Sequence, residues 1–250
     1  MIKLSVVIIT FNEERNIGRC FDSALPVADD IVVVDSLSVD KTEEICLQKN
    51  IRFVKHAFEG YIEQKNYAIT QALYPIVLSL DADEALSPEL QKSVLQAKTN
   101  WNHDGYSMNR LTNYGGKWIH HSGWYPDIKL RLWDSTKGKW GGVNPHDKYM
   151  LRPGCSTAHL SGDLLHYSFY SVEEHKAQAI KFATIAAQAL HQKGKHACFL
   201  KIIFSPMFKF IKNYVIYKGF KDGREGFTIC KITAHATGYK YRLLWKLNRQ

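Results

Sequence analysis

Continuous apolar runs alternate with amphipathic stretches over the first hundred residues. Four runs, at residues 4–9, 31–34, 51–54 and 76–80, are rich in β-branched residues. The first two are typical of strands that are buried on both faces of a sheet, and the other two predict a third, short strand and a fourth. A stretch with helical spacing of apolar residues follows each run. The alternation predicts a parallel sheet wound with helices, which is an α/β fold.

Capping signals indicate where the predicted helices begin. They occur at Asn12, at Asp40 with Glu43, at Ser87 before Pro88, and at Ser171 with Glu174. A further helix is predicted over roughly 61–73, and Gly194 is expected to end the helix that follows Ser171.

The mix of residue types changes after residue 100. Over 101–168 aromatic, glycine and polar residues interleave, which predicts short antiparallel strands and loops that cover the edge of the sheet. We therefore expect a domain over 1–192, with a ligand-binding half (1–100) and a second half (101–170), followed by a basic segment over 193–250.

Positive charge is concentrated in that last segment. The 250 residues carry a formal net charge of +9. Residues 193–250 contain 13 lysines and arginines against 2 acidic residues, a local charge of +11, so the first 192 residues sum to −2. With 45% apolar and 23% charged residues, the composition excludes a disordered chain, a collagen-like repeat and a coiled coil. The basic segment predicts an anionic partner, either a membrane surface or nucleic acid.

The cysteines and the N-terminus indicate a cytoplasmic protein. Five scattered cysteines form no CxxC pair, which favours reduced thiols over a disulfide framework or a zinc site. The N-terminal apolar run turns acidic after Asn12 and lacks a small-residue cleavage site, so we expect no signal peptide. No apolar stretch reaches the roughly 18 residues of a transmembrane helix.

Polar and acidic side chains follow three of the predicted strands. They are Thr10, Asn12 and Glu13 after the first strand, Asp35 at the end of the second, and Asp81, Asp83 and Glu84 after the fourth. The carboxyl ends of parallel strands meet at one sheet edge, where ligands bind in such folds. Three carboxylates in four residues repel one another, and a divalent cation such as Mg²⁺ or Mn²⁺ is the simplest compensation.

Two interpretations of Asp35 remain open at this stage. It is either a turn former or helix cap, or a hydrogen-bond acceptor for a nucleobase or ribose. The sequence contains neither a GxGxxG nor a P-loop motif, so dinucleotide and P-loop binding modes are unsupported.

Four motifs together resemble those of the inverting glycosyltransferases of family 2, which have the GT-A fold. They are SVVIITFNEERNI, IVVVDSLSVDKT, QKNYAI and LSLDADE. The later segments RLW, KWGGVNPHDKY and LLHYSFYS are most similar to the short bacterial members that build the lipopolysaccharide core, of the β-glucosyltransferase type. The resemblance implies a nucleotide-diphosphate sugar donor, most simply a UDP-sugar carrying a hexose, a divalent metal and a glycolipid acceptor.

The resemblance also implies a role for each matching residue. The nucleotide-sugar pocket would be lined by Thr10, Asn12, Glu13, Asp35, Lys65, Asp81 and Ala82. Within it Asp35 receives the base and Asp81 meets the ribose. Asp83 ligates the metal, with His166 as a second candidate ligand. Leu37 stands where the family usually has glycine, which places the local turn in question but not the aspartate.

An inverting transfer needs a carboxylate that takes the proton of the acceptor hydroxyl. The resemblance places this base at Asp147, and the alternative is that Asp147 is an ordinary loop acid paired with Lys148. Asp127 is the second candidate base. Candidate contacts to the diphosphate or the acceptor are Lys129, Arg131, Trp124 and His146, for which solvated charge and aromatic packing are the alternatives.

Residues 198–217 have the pattern of a helix that lies in a bilayer interface. Lys201, Ser205, Lys209 and Lys212 share one face of a helical wheel, and the remaining surface is apolar or aromatic. Pro206 is expected to kink this helix or break it into two. We therefore expect peripheral association with the cytoplasmic face of the inner membrane; the alternative is a helix packed on the catalytic core with its lysines in water.

Two other function classes explain parts of the sequence. A nucleotidyltransferase on a related fold would need a glycine- and lysine-rich loop after the first strand, where this chain has FNEERN. A non-enzymatic protein that binds nucleic acid or membrane would explain the basic segment but not the acidic triplet. The sequence therefore favours the glycosyltransferase, without a nucleic-acid partner.

Overall fold

The computed structural model describes residues 1–143 and 146–249, and the side chains of Val143 and His146 lie outside that description. The strands are β1 (Leu4–Thr10), β2 (Asp30–Asp35), β3 (Arg52–Lys55), β4 (Ile76–Asp81), β5 (Glu84–Leu86), β6 (Gly105–Tyr114), β7 (Lys117–Ile119), β8 (Asp127–Asp134), β9 (Gly138–Val143), β10 (His146–Leu151) and β11 (Thr157–Phe169). The α-helices are α1 (Ile17–Ala24), α2 (Thr42–Gln48), α3 (Tyr61–Thr70), α4 (Pro88–Thr99), α5 (Val172–Gln192), α6 (Phe199–Ile211) and α7 (Gly223–Leu247).

The sheet confirms the predicted α/β fold. Its strand order is β3-β2-β1-β4-β8-β6-β11-β5, with β7 paired to β6, and β9 and β10 form a separate hairpin. β1 pairs in parallel with β2 and with β4, so the strand order reverses beside β1. In doubly wound sheets this reversal is the place where ligands bind, outside the carboxyl ends of the strands.

The region after residue 100 differs from the prediction in one respect. β8 pairs antiparallel with β4, and β6 pairs antiparallel with β8. These strands therefore extend the main sheet instead of covering its edge. The reason is that β4 offers a free hydrogen-bonding edge, and the alternating pattern of β6 and β8 buries Met108 and Leu132 in the main core.

β1 is buried on both faces, as its continuous apolar run predicts. Val6 and Ile8 join Phe21 of α1 in one hydrophobic cluster. Val7, between them in the sequence, joins Trp133 in a second cluster on the opposite face. The core of this part of the chain therefore consists of two layers, one on each side of the sheet.

Two of the predicted helix caps are confirmed. The Ser87 hydroxyl accepts a hydrogen bond from the backbone nitrogen of Leu90 at the start of α4. Ser171 and Glu174 form the reciprocal capping box that begins α5. Both signals are local, so the sequence alone is sufficient to locate them.

The other two predicted caps are wrong. Asn12 has a left-handed φ of 54°, and its amide oxygen accepts a hydrogen bond from the backbone nitrogen of Val39, so α1 begins one turn later. Asp40 accepts hydrogen bonds from the backbone and hydroxyl of Thr42, and the cap position of α2 falls on Lys41. The loop after β2 therefore takes the Asn12 side chain, whereas the Asp40 carboxylate also accepts from the Glu14 nitrogen in the loop after β1.

The chain folds as two compact units. The first contains Met1–Arg110 and Asp127–Tyr167, and the second contains Leu111–Pro126 and the chain from Ser168 onward. The expected boundary at residue 192 does not coincide with these units, because α5 packs along α7 in the second unit. The active-site candidates other than Trp124 belong to the first unit.

The second unit is mainly helical. α5 and α6 pack on α7, and Tyr114, Phe169 and Ile229 form a small hydrophobic cluster. α6 continues through Pro206, so the predicted break is wrong; the proline ring faces Gly238 on α7. Among the residues described, no helix is long and apolar enough to cross a membrane. All five cysteines are free.

Candidate active site

The polar residues predicted at the carboxyl edge of the sheet lie level with one another in the first unit. Thr10 at the end of β1 pairs with Asp35 at the end of β2. Asp81 at the end of β4 pairs with Ile9, and the Ala82 nitrogen donates to the Ile9 carbonyl at 3.1 Å. The register of three parallel strands therefore brings these candidates to one edge.

A buried arginine neutralises two of the three clustered carboxylates. Arg131 on β8 is 4% exposed, and its guanidinium lies 2.7 Å from both Asp81 Oδ2 and Glu84 Oε1. Arg110 lies 3.4 Å from Glu84, whose side chain is fully buried. Burial alone raises the pKa of Asp81, but Arg131 and Lys65 outweigh it and hold that pKa well below its usual range. The protein itself therefore compensates much of the charge that the sequence assigned to a cation.

Lys65 on α3 bridges the strand end and the candidate base. Its ammonium lies 3.1 Å from Asp81 Oδ1 and 2.8 Å from Asp147 Oδ2, and its side chain is 5% exposed. The same ammonium lies 4.5 Å from the centre of the Trp140 ring, a cation–π contact. Asp147 is thus held beside Asp81 and is not an isolated loop acid.

A pair of side chain–backbone hydrogen bonds attaches the β9–β10 hairpin to α3. The Asn66 amide donates to the Trp140 carbonyl and accepts from the Trp140 nitrogen, both at 3.0 Å. Asp147 lies opposite Gly142 in this hairpin. Asn66 therefore positions the hairpin that carries Asp147. Sequence reasoning did not assign this role, although the QKN motif contains the residue.

Asp83 and His166 meet although they are 83 positions apart. The antiparallel pairing of β5 with β11 places His166 opposite Glu84, and the His166 Nε2 atom lies 3.1 Å from Asp83 Oδ2. The Tyr167 nitrogen donates to the Asp83 carbonyl at 2.8 Å. Within residues 1–143 and 146–249, Asp83 has no lysine or arginine partner, and its side chain is 25% exposed. It is the carboxylate of the triplet that remains available to a ligand.

The donor atoms fit a divalent cation that binds together with a substrate. In the described part of the chain no three histidine, cysteine or acidic side chains form a metal-binding group. Asp83 and His166 supply a carboxylate oxygen and an imidazole nitrogen at one place. Mg²⁺ and related cations often take few protein ligands and complete their shell with phosphate oxygens and water. The pair therefore suits a metal shared with a diphosphate and not one held by protein alone.

Glu13 has a strongly perturbed acidity. Burial raises its pKa to about 7, against the effect of a 2.7 Å hydrogen bond from the Asn16 amide, and the charge of Asp83 raises it further. His166 also interacts with Glu13 electrostatically. A carboxyl group that titrates near neutrality beside Asp83 is typical of a functional site.

The Asp35 carboxylate is fully buried and holds its own loop. It accepts hydrogen bonds from the nitrogen of Ser38 at 2.8 Å and from the Ser38 hydroxyl. The Ser38 hydroxyl in turn accepts from the Asn12 nitrogen at 2.8 Å. Leu37 in this turn has a left-handed φ of 66°, the conformation that glycine adopts without strain. The contact between Asp35 and a nucleobase stays a prediction.

Thr10 carries an unused polar group at the same edge. Its hydroxyl is buried, and among the atoms of residues 1–143 and 146–249 it has no hydrogen-bond partner. Buried polar groups are normally paired, so this hydroxyl is a candidate contact for a bound ligand.

Asp127 is a weaker candidate base than Asp147. Arg110 lies 2.7 Å and Lys129 3.0 Å from its carboxylate. Burial raises the pKa of Asp127, but these two cations outweigh it and the pKa is lowered. A carboxylate held by two cations has a lower proton affinity. Lys129 and Arg131 are both engaged with acidic residues of the protein, so their contacts to a diphosphate or an acceptor stay predictions.

Two tryptophans, the candidate contact Trp124 and the hairpin residue Trp140, have packing contacts. Trp124 belongs to the second unit, where its ring centre lies 5.9 Å from those of Tyr114 and Phe169. Trp140 is buried beside Trp133 at 5.5 Å. The side chain of His146, a candidate contact residue, lies outside the described residues.

Comparison with known proteins agrees with this architecture. The family model for glycosyl transferase family 2 matches residues 5–172. A glycosyltransferase of Rickettsia bellii is 29% identical over 261 residues, covering 99% of this chain and 88% of the relative. The lipopolysaccharide core biosynthesis glycosyltransferase LpsC of Rhizobium meliloti is 29% identical over 234 residues, covering 90% of this chain and 86% of LpsC. The crystal structure of S. aureus TarS 1-349 is 14% identical with a TM-score of 0.46, covering 99% of this chain and 91% of that one.

The family match includes every motif that carries the resemblance, from β1 to the start of α5, and spans more than half of the chain. It decides against the nucleotidyltransferase and the non-enzymatic binding protein. The mixed α/β sheet with its polar edge beside β1 and β4 is the GT-A fold. The chain is therefore an enzyme that belongs to glycosyltransferase family 2.

Proposed function

We propose that this enzyme transfers a hexose from a nucleotide-diphosphate sugar, most simply a UDP-sugar, to a glycolipid acceptor with inversion at the anomeric carbon. One observation carries the proposal: the basic residues at the sheet edge pair with two carboxylates of the acidic triplet and leave the third without a lysine or arginine partner among the described residues. Arg131 and Lys65 neutralise Asp81 and Glu84, whereas no lysine or arginine of residues 1–143 and 146–249 pairs with Asp83, which lies 3.1 Å from His166. This leaves one carboxylate for a donor-bound cation.

The donor would bind along the carboxyl edge of β1, β2 and β4. Thr10 offers a free buried hydroxyl there, and Asp81 and Ala82 follow β4 at the same level. Asp83 and His166 would hold Mg²⁺ or Mn²⁺; when bound, such a cation neutralises the charge that develops on the leaving diphosphate.

Asp147 would act as the base. The acceptor hydroxyl oxygen attacks the anomeric carbon, its proton passes to the Asp147 carboxylate, and the bond from that carbon to the diphosphate oxygen breaks on the opposite face. An α-linked donor would therefore give a β-linked product. Lys65 holds the carboxylate in its place through the 2.8 Å contact.

The acceptor would be a lipopolysaccharide core or a similar glycolipid. LpsC, whose sequence match covers 90% of this chain, is named for lipopolysaccharide core biosynthesis. The second unit also exposes a row of large apolar side chains on α6, namely Phe199, Leu200, Ile203, Phe204, Met207 and Phe208. Together with the basic charge of residues 193–250, this surface fits peripheral binding to an anionic cytoplasmic leaflet, where a lipid-linked acceptor would be found.

The catalytic assignment is tested by Asp147→Asn, with Asp134→Asn as the matched control. Asp134 lies at the end of β8 and caps only its own turn through Thr136. With UDP-hexoses, Mn²⁺ and a lipopolysaccharide core acceptor, Asp147→Asn should lower kcat by about 10²- to 10⁴-fold, the usual contribution of a general base. The control should stay within about twofold. Near-normal turnover by Asp147→Asn, or retention of anomeric configuration, would refute the assignment.

The membrane assignment is tested separately by sedimentation with phosphatidylglycerol vesicles. Phe204→Ser with Phe208→Ser should abolish cosedimentation, because both side chains are exposed on α6. Leu25→Ser with Leu47→Ser removes two similarly exposed apolar residues from the first unit and should leave cosedimentation unchanged. Equal binding by the two double variants would contradict the proposed surface.

A further inference from the structure

A groove runs between α6 and α7 in the second unit. Its volume is about 410 Å³, and it is open to solvent along its length. The α6 side is apolar, with Pro206, Met207, Phe210 and Ile211. None of the proposed catalytic residues lines it.

Gly238 on α7 keeps the groove open. A Cβ atom at this position would lie 3.4 Å from the Pro206 ring, so any larger side chain would occupy the space between the helices. Lys231, His235, Gly238 and Arg242 are spaced by three or four residues and therefore share one face of α7. Eleven residues of helix separate Lys231 from Arg242, a length of about 16 Å.

The rim of the groove is cationic. Lys231, His235 and Arg242 are exposed on it, and no acidic residue lines it. The two acidic residues of the segment 193–250 are engaged elsewhere in the second unit: Asp222 accepts from Ser122, and Glu225 pairs with Lys117. The charge of the rim is therefore available to an anion.

We propose that this groove binds a single acyl chain of an anionic lipid, with the lipid phosphate held at the cationic rim. An apolar slot about 16 Å long matches the length of an extended acyl chain, and Lys231 and Arg242 place a cation at each end of its rim, where the lipid phosphate would bind. The inference rests on the proposed membrane association, because α6 also presents the exposed Phe204 and Phe208. It adds a defined lipid site to what would otherwise be non-specific attraction to an anionic surface.

The test uses the full chain and dodecyl phosphate below its critical micelle concentration, with binding measured by titration calorimetry. The parent protein should bind one molecule, and affinity should rise about fourfold per methylene from hexyl to decyl phosphate. Lys231→Gln with Arg242→Gln should weaken binding at least tenfold. Lys221→Gln with Lys246→Gln removes the same charge away from the groove and should change affinity less than twofold.

Gly238→Leu tests the apolar part of the site. Leucine favours a helix over glycine, so the variant should keep its helical circular dichroism while losing dodecyl phosphate binding at least tenfold. Equal affinity in the two charge variants, an affinity independent of chain length, or full binding by Gly238→Leu would each overturn the proposal. So would concentration-dependent dimerisation that Gly238→Leu abolishes, because the occupant would then be a second copy of the chain.

Vesicle sedimentation separates this inference from the proposed membrane association. If the parent protein sediments with phosphatidylglycerol vesicles but does not bind dodecyl phosphate, the groove proposal fails and the association stands. If it binds dodecyl phosphate in the groove but does not sediment, the association fails and the lipid site stands.

Discussion

The replacement Lys65→Met tests the charge arrangement of the active site. Methionine keeps an unbranched apolar side chain against Trp140 but removes the ammonium that lies 2.8 Å from Asp147 and 3.1 Å from Asp81. Removing one partner of a buried ion pair usually costs about 3–5 kcal/mol, because the other charge stays buried. Here Asp81 keeps Arg131, and the Asp147 side chain is 12% exposed to water. We therefore expect a smaller loss of unfolding free energy, about 2–3 kcal/mol.

Arg131→Met provides the comparison. It leaves Glu84, which is fully buried, with the 3.4 Å contact to Arg110 as its ion pair and a hydrogen bond from the Asp81 nitrogen at 3.0 Å. The loss should reach the full range of about 3–5 kcal/mol. Urea unfolding at pH 7, followed by tryptophan fluorescence of the first unit, measures both variants. If Lys65→Met were as stable as the parent, or less stable than Arg131→Met, the described charge arrangement would be wrong.

A double-mutant cycle isolates the contact between Lys65 and Asp147. The energies of Lys65→Met and Asp147→Asn should not add, and the coupling should be about 1–2 kcal/mol. A coupling near zero at pH 7 would refute the bridge.

Three further predictions concern stability. Burial raises the pKa of Glu13 to about 7 from 4.5, so the folded state keeps a proton that the unfolded state releases as pH rises between these values, and stability falls across that window. Metal-free Glu13→Gln should therefore exceed the parent by up to about 3 kcal/mol at pH 8 and match it at pH 4 in urea unfolding. Leu37→Gly should raise the free energy of unfolding by about 0.5–1 kcal/mol, because glycine adopts the left-handed conformation of this turn without strain. The control Leu47→Gly, within α2, should lower the free energy of unfolding by about 1 kcal/mol. Thermal melts measure both variants. The buried Asp222 carboxylate accepts hydrogen bonds from the backbone nitrogens of residues 120 and 121. Asp222→Asn should therefore lower the free energy of unfolding by about 2–3 kcal/mol and speed amide hydrogen exchange at residues 120–122. Unchanged exchange at these residues would contradict the prediction.

The strands and the location of the site follow directly from the sequence. The apolar runs of β1 and β4 are continuous because both faces of these strands are buried, so their pattern is unambiguous. The register of parallel strands then requires Thr10, Asp35 and Asp81 to lie at one edge. Resemblance adds Asp83 and Asp147, whose roles no local pattern specifies.

The partners within the site do not follow from the sequence. Arg131 meets Asp81 only because β8 pairs antiparallel with β4, a long-range contact that leaves no local signal. Asn66 was missed for the same reason, since its amide binds the backbone of Trp140. A basic residue buried against the acidic triplet cannot be distinguished in the sequence from one in water.

The C-terminal part was only partly predicted. The apolar pattern of α6 is visible, but α7 was not predicted as a single helix. Its buried face contains Gly226 and Gly238, which lower helix propensity; at Gly226 a Cβ atom would lie 2.0 Å from the Gly219 carbonyl oxygen, so glycine is required there. Packing thus overrides the local preference in this helix.

Asp83 is proposed to ligate a cation that binds together with the donor. This role is tested by measuring UDP binding with and without Mn²⁺. Titration calorimetry of the parent protein should show UDP affinity rising at least tenfold when Mn²⁺ is added, and Asp134→Asn should behave in the same way. Asp147→Asn should keep this dependence, because the proposed role of Asp147 is toward the acceptor hydroxyl and not toward the nucleotide. Asp83→Asn should bind UDP equally with and without Mn²⁺. A full Mn²⁺-dependent gain in Asp83→Asn would contradict the account.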